Sequence, residues 1–339
     1  MEKGLVSVLT PCYNTGRYVH RLLDSVLTQT YPFIEMVIID DGSTDDSSAV
    51  IQSYIPKFKA KGYELRYYYQ QNSGQSVAIE KGLHLVHGEY LVWPDSDDFY
   101  ASDDAIEKMV SRLSQASPEF AMVRTMLRVV DEKNLSELRI EGKYAREEER
   151  KELFQDCLFG NFYYTPGAYM VRMSALIETT GLNIYTSRNA GQNWQIYLPI
   201  LYSYRCMTIK EVLYNVVERE ASHSRGGFKG FEQLLLRLNT YEDTLLDTLD
   251  RIKKMPDSER EYYKNKISSN YLKKKLELAL QCNKYQDYLS MYAQLMGDYK
   301  IDVSLRESVY YGAYYWSIKT GTCPLLKKIL QIRKSLLNK

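Results

Sequence analysis

An α/β fold with a mostly parallel sheet, followed by an all-helical segment, is the prediction from the order of patterns along these 339 residues. Short apolar runs alternate with amphipathic stretches from residue 5 to about residue 130. Polar loops follow the apolar runs, at residues 11–15, 40–44 and 95–98. Beyond residue 228 the strand-like runs stop and helical periodicity continues alone.

Leu5 to Thr10 reads as a buried strand. Gly16 to Thr28 reads as an amphipathic helix with Tyr18, Leu22, Leu23, Val26 and Leu27 on one side. Phe33 to Ile39 is the second strand, ending at Asp40-Asp41-Gly42-Ser43, and Asp45 to Lys59 is the next helix. Leu65 to Tyr69, Gln75 to Val86 and Glu89 to Trp93 continue as strand, helix and strand. Ser102 is placed to cap a helix with Asp103 and Asp104 in its first turn, where negative charge suits the helix dipole. Residues 131–151 are highly charged and expected at the surface. Met170 to Arg172 and Val212 to Val217 are strand candidates, with a helix over Gln195 to Tyr204 between them. Four helices are expected behind: Phe231 to Lys254, stopped near Pro256, then Ser258 to Gln281, Tyr285 to Met296 and Val303 to Lys319. The expected division is residues 1–228 for the α/β domain and 229–339 for the helical one. In open parallel sheets ligands bind beyond the carboxyl ends of the strands, where the three polar loops fall.

Composition narrows the function. At 45% hydrophobic and 26% charged the chain can bury a sizeable core, and a net charge of +1 gives no basis for nucleic-acid binding. Cys12, Cys157, Cys206, Cys282 and Cys323 are scattered and odd in number, with no CxxC pair. That pattern predicts reduced thiols in a cytoplasmic protein rather than a disulfide framework or zinc site. No apolar run reaches the length of a membrane span, and Leu5 to Leu9 is too short for a signal-peptide core.

The densest chemistry is Trp93-Pro94-Asp95-Ser96-Asp97-Asp98, directly after the apolar Tyr90-Leu91-Val92. Carboxylates crowded this closely repel and raise one another's pKa. A divalent cation relieves the conflict, and oxygen ligands suit Mg²⁺ or Mn²⁺. An Asp-rich turn capping the next helix is the structural alternative.

Several motifs in one order resemble the family 2 glycosyltransferases, which have the GT-A fold, over roughly residues 5–225. These are Val8-Leu9-Thr10-Pro11-Cys12-Tyr13-Asn14, then Ile38-Ile39-Asp40-Asp41-Gly42-Ser43-Thr44-Asp45, then Asn72-Ser73-Gly74-Gln75-Ser76 with Gly82 and Gly88, and finally the DxD of Asp95-Ser96-Asp97. The resemblance implies a nucleotide-sugar donor, a UDP-sugar, and a Mn²⁺ or Mg²⁺ cofactor. Tyr13, presented by Pro11 and flanked by Asn14, would stack on the base, and Asp41 or Asp40, with Ser43, would select it through a charged hydrogen bond. Asn72, Gly74 and Ser76 would lie near the ribose or phosphates, Gly74 and Ser76 opening a helix there. Asp95 and Ser96 would face the ribose or the metal's waters, and Asp97 would bind the metal. Asp98 would hold the loop. His223 is a candidate third metal ligand and Arg225 a candidate diphosphate contact, each with an ordinary exposed loop residue as its alternative.

One departure matters. Inverting transfer needs a general base, which the family supplies as an acid at the start of a helix. Here Gly191-Gln192-Asn193-Trp194-Gln195 matches that stretch, so Asn193 stands where the catalytic Asp is expected. Glu178, Glu218 and Glu220 are the alternative carboxylates. Ile79-Glu80 also departs, where the family often has Arg-Asn. Trp194 and Tyr169 are expected on the acceptor side, Trp194 as a stacking surface.

The expected reaction moves a hexose or N-acetylhexosamine to a hydroxyl of a saccharide, lipid-linked glycan or glycoprotein. The rival is a non-catalytic nucleotide-sugar-binding or scaffolding subunit. Nucleotidyl transfer is disfavoured, because no Gly-rich basic loop follows the first strand. A basic amphipathic helix is expected from Pro324 to Leu337, suited to helix packing or homo-oligomer formation, with peripheral contact at the inner face of the membrane as the second reading.

Overall fold

The computed structural model describes residues 1–143, 153–160, 162–186, 191–219, 229–299, 303–324 and 326–328. Nine strands among them form one sheet: β1 (Glu2–Cys12), β2 (Ile34–Asp40), β3 (Glu64–Tyr69), β4 (Gly88–Val92), β5 (Phe99–Tyr100), β6 (Phe120–Asp131), β7 (Glu137–Glu141), β8 (Tyr169–Arg172) and β9 (Arg205–Glu218). The helices are α1 (Gly16–Leu27), α2 (Ser47–Lys61), α3 (Gln75–Leu83), α4 (Ala105–Ser114), α5 (Leu153–Phe159), α6 (Met173–Thr180) and α7 (Gln192–Ser203). They continue with α8 (Phe231–Arg251), α9 (Asp257–Gln281), α10 (Tyr285–Asp298) and α11 (Leu305–Lys319).

The sheet order is β3-β2-β1-β4-β8-β6-β9-β5, with β7 on β6. β3, β2, β1 and β4 run parallel. Beyond β4 the sheet is mixed, with β8 antiparallel to both β4 and β6, and β9 parallel to β6. β1 and β2 are central parallel strands covered on both faces, which explains their unbroken apolar runs. Val19, Leu22, Leu23 and Val26 form the buried stripe of α1, while Tyr18 and Leu27 lie only part-buried at its edges. α2 stops at Gly62, whose φ of +87° is the left-handed geometry that glycine supplies.

Two expectations are corrected here. Ser102 does not cap α4. The helix begins after Asp104, and Ser102 instead bonds the Asp104 carboxylate from the preceding turn. β6 is a long buried strand where no strand was expected, and part of the charged stretch after it, Glu137–Glu141, is strand β7.

Residues 1–227 and 243–256 cluster as one compact unit, and residues 228–242 with 257–339 as a second. Among its described residues the helical unit has its own core of Phe231, Leu276, Ala279, Tyr288, Leu295 and Tyr311. The helix expected over 324–337 lies mostly outside the described residues. No helix among the described residues is long and apolar enough to cross a membrane.

Glu35 is a buried acid in the parallel half. It accepts Ser7 Oγ at 2.5 Å and the backbone N–H groups of His87 at 2.5 Å and Gly88 at 3.2 Å, and it is ion-paired to Arg66. Glu35→Gln turns an acceptor-only group into one that presents N–H to other donors, and leaves Arg66 with only the exposed Glu64, 3.5 Å away, as an acidic partner. We expect a loss of about 3 kcal/mol, read as a lower urea midpoint with an unchanged slope.

Candidate active site

The sheet grows from β1 toward β3 and then reverses to place β4 on the other side of β1. The crevice at this reversal lies beyond the carboxyl ends of β1 and β4. Thr15, after β1, donates from Oγ1 to Ser96 Oγ, after β4, at 2.9 Å. The loops after β1 and β2 are laced in the same way. Asn14 N donates to Ser43 Oγ at 2.9 Å, and Thr44 N to Asn14 Oδ1 at 2.8 Å. Asp45 accepts from Gly16 N and from Ser47 N, each at 3.0 Å, and so pins the starts of α1 and α2 together. Asn14 has a φ of +51°, a left-handed conformation that Asn tolerates better than most residues. Tyr13 stands exposed on the same loop.

Asp41 is buried at the head of α3. It accepts Ser73 N, Gly74 N and Gln70 Nε2, each at 2.8 Å. A carboxylate offers about four acceptor directions, so one remains for a ligand N–H. Asp40 is fully buried and occupied, accepting Tyr67 Oη at 2.6 Å and Ser43 N at 2.8 Å. Gly42 cannot be replaced freely, because its φ is +83° and a Cβ there would lie 2.7 Å from Asn72 N. This close approach holds the loops after β2 and β3 against each other.

The acidic loop is held by donors from two places, the start of α3 and the carboxyl end of β9. Asp95 accepts Gln75 Nε2, from the start of α3, at 3.0 Å. Burial, and then the charge of Asp97, push the Asp95 carboxyl up to about 7. Asp98 accepts Val217 N, from β9, at 2.8 Å, and burial raises its pKa well above the usual carboxylate range, with Asp97 and Asp95 adding to the effect. Asp97 is ion-paired to Arg219, just past the end of β9. The Arg219 guanidinium also lies over the Tyr18 ring, 4.9 Å from its centroid.

Whether these residues suit a divalent cation turns on the donor set. Among the described residues no group of three or more His, Cys, Asp or Glu could hold a metal. Asp95 and Asp97 supply hard oxygen donors in one loop, and their mutual repulsion favours a cation. Mg²⁺ is commonly held by one or two carboxylates plus substrate phosphates, and these residues fit a site of that kind.

Asn193, at the start of α7, spans two elements. Its Oδ1 accepts the Trp93 indole N–H at 3.1 Å, and its Nδ2 donates to the Tyr164 carbonyl at 2.9 Å. Trp194 lies beside it, part-buried and edge-on to Tyr164 with centroids 5.6 Å apart.

Several sequence expectations change. Tyr169 is fully buried among Phe162, Tyr163 and Tyr197 and donates to the Tyr163 carbonyl at 2.7 Å, so it has no face for an acceptor. Ser76 and Gln192 are buried, and Ser96 is buried against Thr15. Pro11 is a buried residue of β1 rather than of the loop, and it acts by fixing the backbone leading to Tyr13. Glu178 is engaged by Lys254 and Tyr204, and Glu218 by Arg139 at 2.6 Å. His223, Arg225 and Glu220 lie outside the described residues. Thr15, Tyr18 and Arg219 were not anticipated, nor was a role for Gln75. Gln75 carried a signal from its place in the Asn72–Ser76 motif, and Thr15 from the polar loop at 11–15.

Two expectations follow from this geometry. Asn193→Asp keeps the acceptor for Trp93 but sets a carboxylate oxygen against the Tyr164 carbonyl. It should cost about 1–3 kcal/mol in chemical denaturation. Asp95 is protonated in the native state up to about pH 7, whereas in the unfolded chain it ionises near about pH 3.9. Its contribution to stability therefore falls as pH rises through that window. Asp95→Asn should gain stability relative to the parent above the window and not below it, as read by denaturation midpoints across pH.

Comparison with known proteins bears on this crevice. GlyA, a glycosyltransferase of Streptococcus pneumoniae, is 29% identical over 159 residues, 47% of this chain and 19% of GlyA. TuaG of Bacillus subtilis, a putative teichuronic acid biosynthesis glycosyltransferase, is 36% identical over 129 residues, 38% of this chain and 50% of TuaG. The chain thus spans half or less of the length of either relative. The crystal structure of S. aureus TarS 1–349 in complex with UDP-GlcNAc gives a TM-score of 0.63 at 14% identity, covering 96% of this chain and 92% of that one. The mannosyltransferase PcManGT from Pyrobaculum calidifontis, in complex with GDP-Man and Mn²⁺, gives 0.51 at 17% identity, covering 98% and 87%. The fold is GT-A with a helical region behind it. Residues 7–180, which carry every laced loop from Tyr13 to Asp98, match the model of glycosyl transferase family 2, and the chain belongs to that family.

Proposed function

We propose that this chain transfers a hexose or N-acetylhexosamine from a UDP-sugar to a hydroxyl of a saccharide or glycoprotein glycan, with a divalent cation and with inversion. The observation that carries the reading is the convergence of Tyr13, Asp41 and the Asp95–Asp97 loop at the switch point of the sheet. The UDP-GlcNAc bound in the TarS structure supports the choice of nucleotide, and the Mn²⁺ with GDP-Man in PcManGT supports the cation.

Tyr13 offers a ring to the base, and Asp41 one remaining acceptor direction. Asp95 and Asp97 would hold Mn²⁺ or Mg²⁺. When bound, the cation supplies positive charge that stabilises the departing diphosphate. The acceptor hydroxyl attacks the anomeric carbon on the face opposite the diphosphate, through an oxocarbenium-like transition state. Its proton goes to a group other than Asn193, because an amide has no basic site at neutral pH. That same residue favours a second reading, a subunit that binds nucleotide sugar without efficient transfer.

Incubation with Mn²⁺ and a panel of nucleotide sugars separates the two. Release of UDP from one UDP-sugar, abolished by EDTA and lowered about a hundredfold or more by Asp97→Ala, is the expected result. Full activity in Asp97→Ala would remove the metal role from this loop. Calorimetric binding with no release, even when acceptors are supplied, would favour the second reading.

A further inference from the structure

Arg219 occupies the carboxylate that a cation would need. Both side chains of the Asp97–Arg219 pair are less than one-fifth exposed, at 16% and 18%. A pair so shielded is weakly screened by solvent. The guanidinium is further held over Tyr18, and its Nε is buried without a hydrogen-bond partner. Asp97 is thus neutralised from within the fold, while Asp95 and Asp98 keep raised pKa values beside it.

We infer that Arg219 and the divalent cation are mutually exclusive partners of Asp97, so that the nucleotide diphosphate, by giving Arg219 a second anionic partner, is what admits the metal. This rests on the donor and metal reading above. A dication approaching Asp97 Oδ2 meets a guanidinium already on that oxygen, so free metal binds poorly. A diphosphate in the crevice offers oxygens to the guanidinium, including its unused Nε–H, and Asp97 is released to the cation. Metal and nucleotide then bind with positive coupling, each raising the other's affinity by the same factor. Arg219 is a positioning residue that makes metal loading conditional on donor.

The test is a Mn²⁺ titration followed by electron paramagnetic resonance of the free ion, with and without UDP, on the parent, Arg219→Gln and Arg219→Lys. In Arg219→Gln, Mn²⁺ should bind in the absence of UDP about tenfold tighter than in the parent, the lower end of what an adjacent opposite charge does to a carboxylate's affinity. The enhancement by UDP should shrink correspondingly. Arg219→Lys keeps the charge and loses the planar fork, so it should still exclude free metal. A mere loop brace would leave both variants alike. Tyr18→Leu frees the guanidinium from its aromatic support and should shift the metal affinity in the same direction by less, which keeps the idea testable if Arg219→Gln fails to fold. Unchanged Mn²⁺ affinity in folded Arg219→Gln, with UDP-dependent Mn²⁺ binding intact in the parent, would overturn this inference alone. If the parent binds no Mn²⁺ even with UDP present, the metal-dependent donor reading fails, and this inference with it.

Discussion

The mutual repulsion of Asp95, Asp97 and Asp98 is the constraint around which the site is arranged. Three carboxylates at the end of one strand cannot all ionise in a part-dehydrated loop without help. Each receives a different answer. Asp98 takes a backbone N–H from β9, Asp95 takes the Gln75 amide from the start of α3, and Asp97 takes the Arg219 guanidinium. Two of the three come from the carboxyl end of β9. The mixed half of the sheet therefore does more than extend the core, because β9 must return alongside β6 to deliver these groups. Gly167 keeps that return in place: the Tyr214 ring of β9 lies so close that a Cβ on Gly167 would meet it at 2.0 Å.

The same logic separates donor-side residues that touch ligand from those that set the loops. Asp41 is spent largely on the head of α3, where its charge also favours the helix dipole. Asp40 is spent on Tyr67 and Ser43. An acid in a family motif is thus often scaffold first, with at most one lone pair left for chemistry.

How much was legible follows from how local each signal is. β1, β2 and β4 are buried parallel strands, so they read as continuous apolar runs, and their loops carry compact motifs. The helices of the second unit read from periodicity to within a few residues. β6 did not, because Arg124 and Arg128 interrupt its apolar run. Arg124 is nonetheless buried, covered by the Phe162 and Tyr163 rings and bonded to Thr208. Burial of Tyr169, Ser76 and Ser96 was equally invisible, since a residue's type in a motif does not say which way the packing turns it. The Asp97–Arg219 and Trp93–Asn193 pairs each join residues about a hundred or more positions apart, and nothing near either partner announces the other.

Asn193 shows why a departure from a family's catalytic acid need not be a simple loss. The position lies between a donor, the Trp93 indole, and an acceptor, the Tyr164 carbonyl. Only a side chain carrying both an acceptor and a donor satisfies the two at once, and Asn does so through two separate atoms. An ionised Asp would answer Trp93 and repel Tyr164. With Tyr164 against the start of α7 in this way, the amide suits the fold better than an ionised acid. The amide itself offers no basic site for a proton.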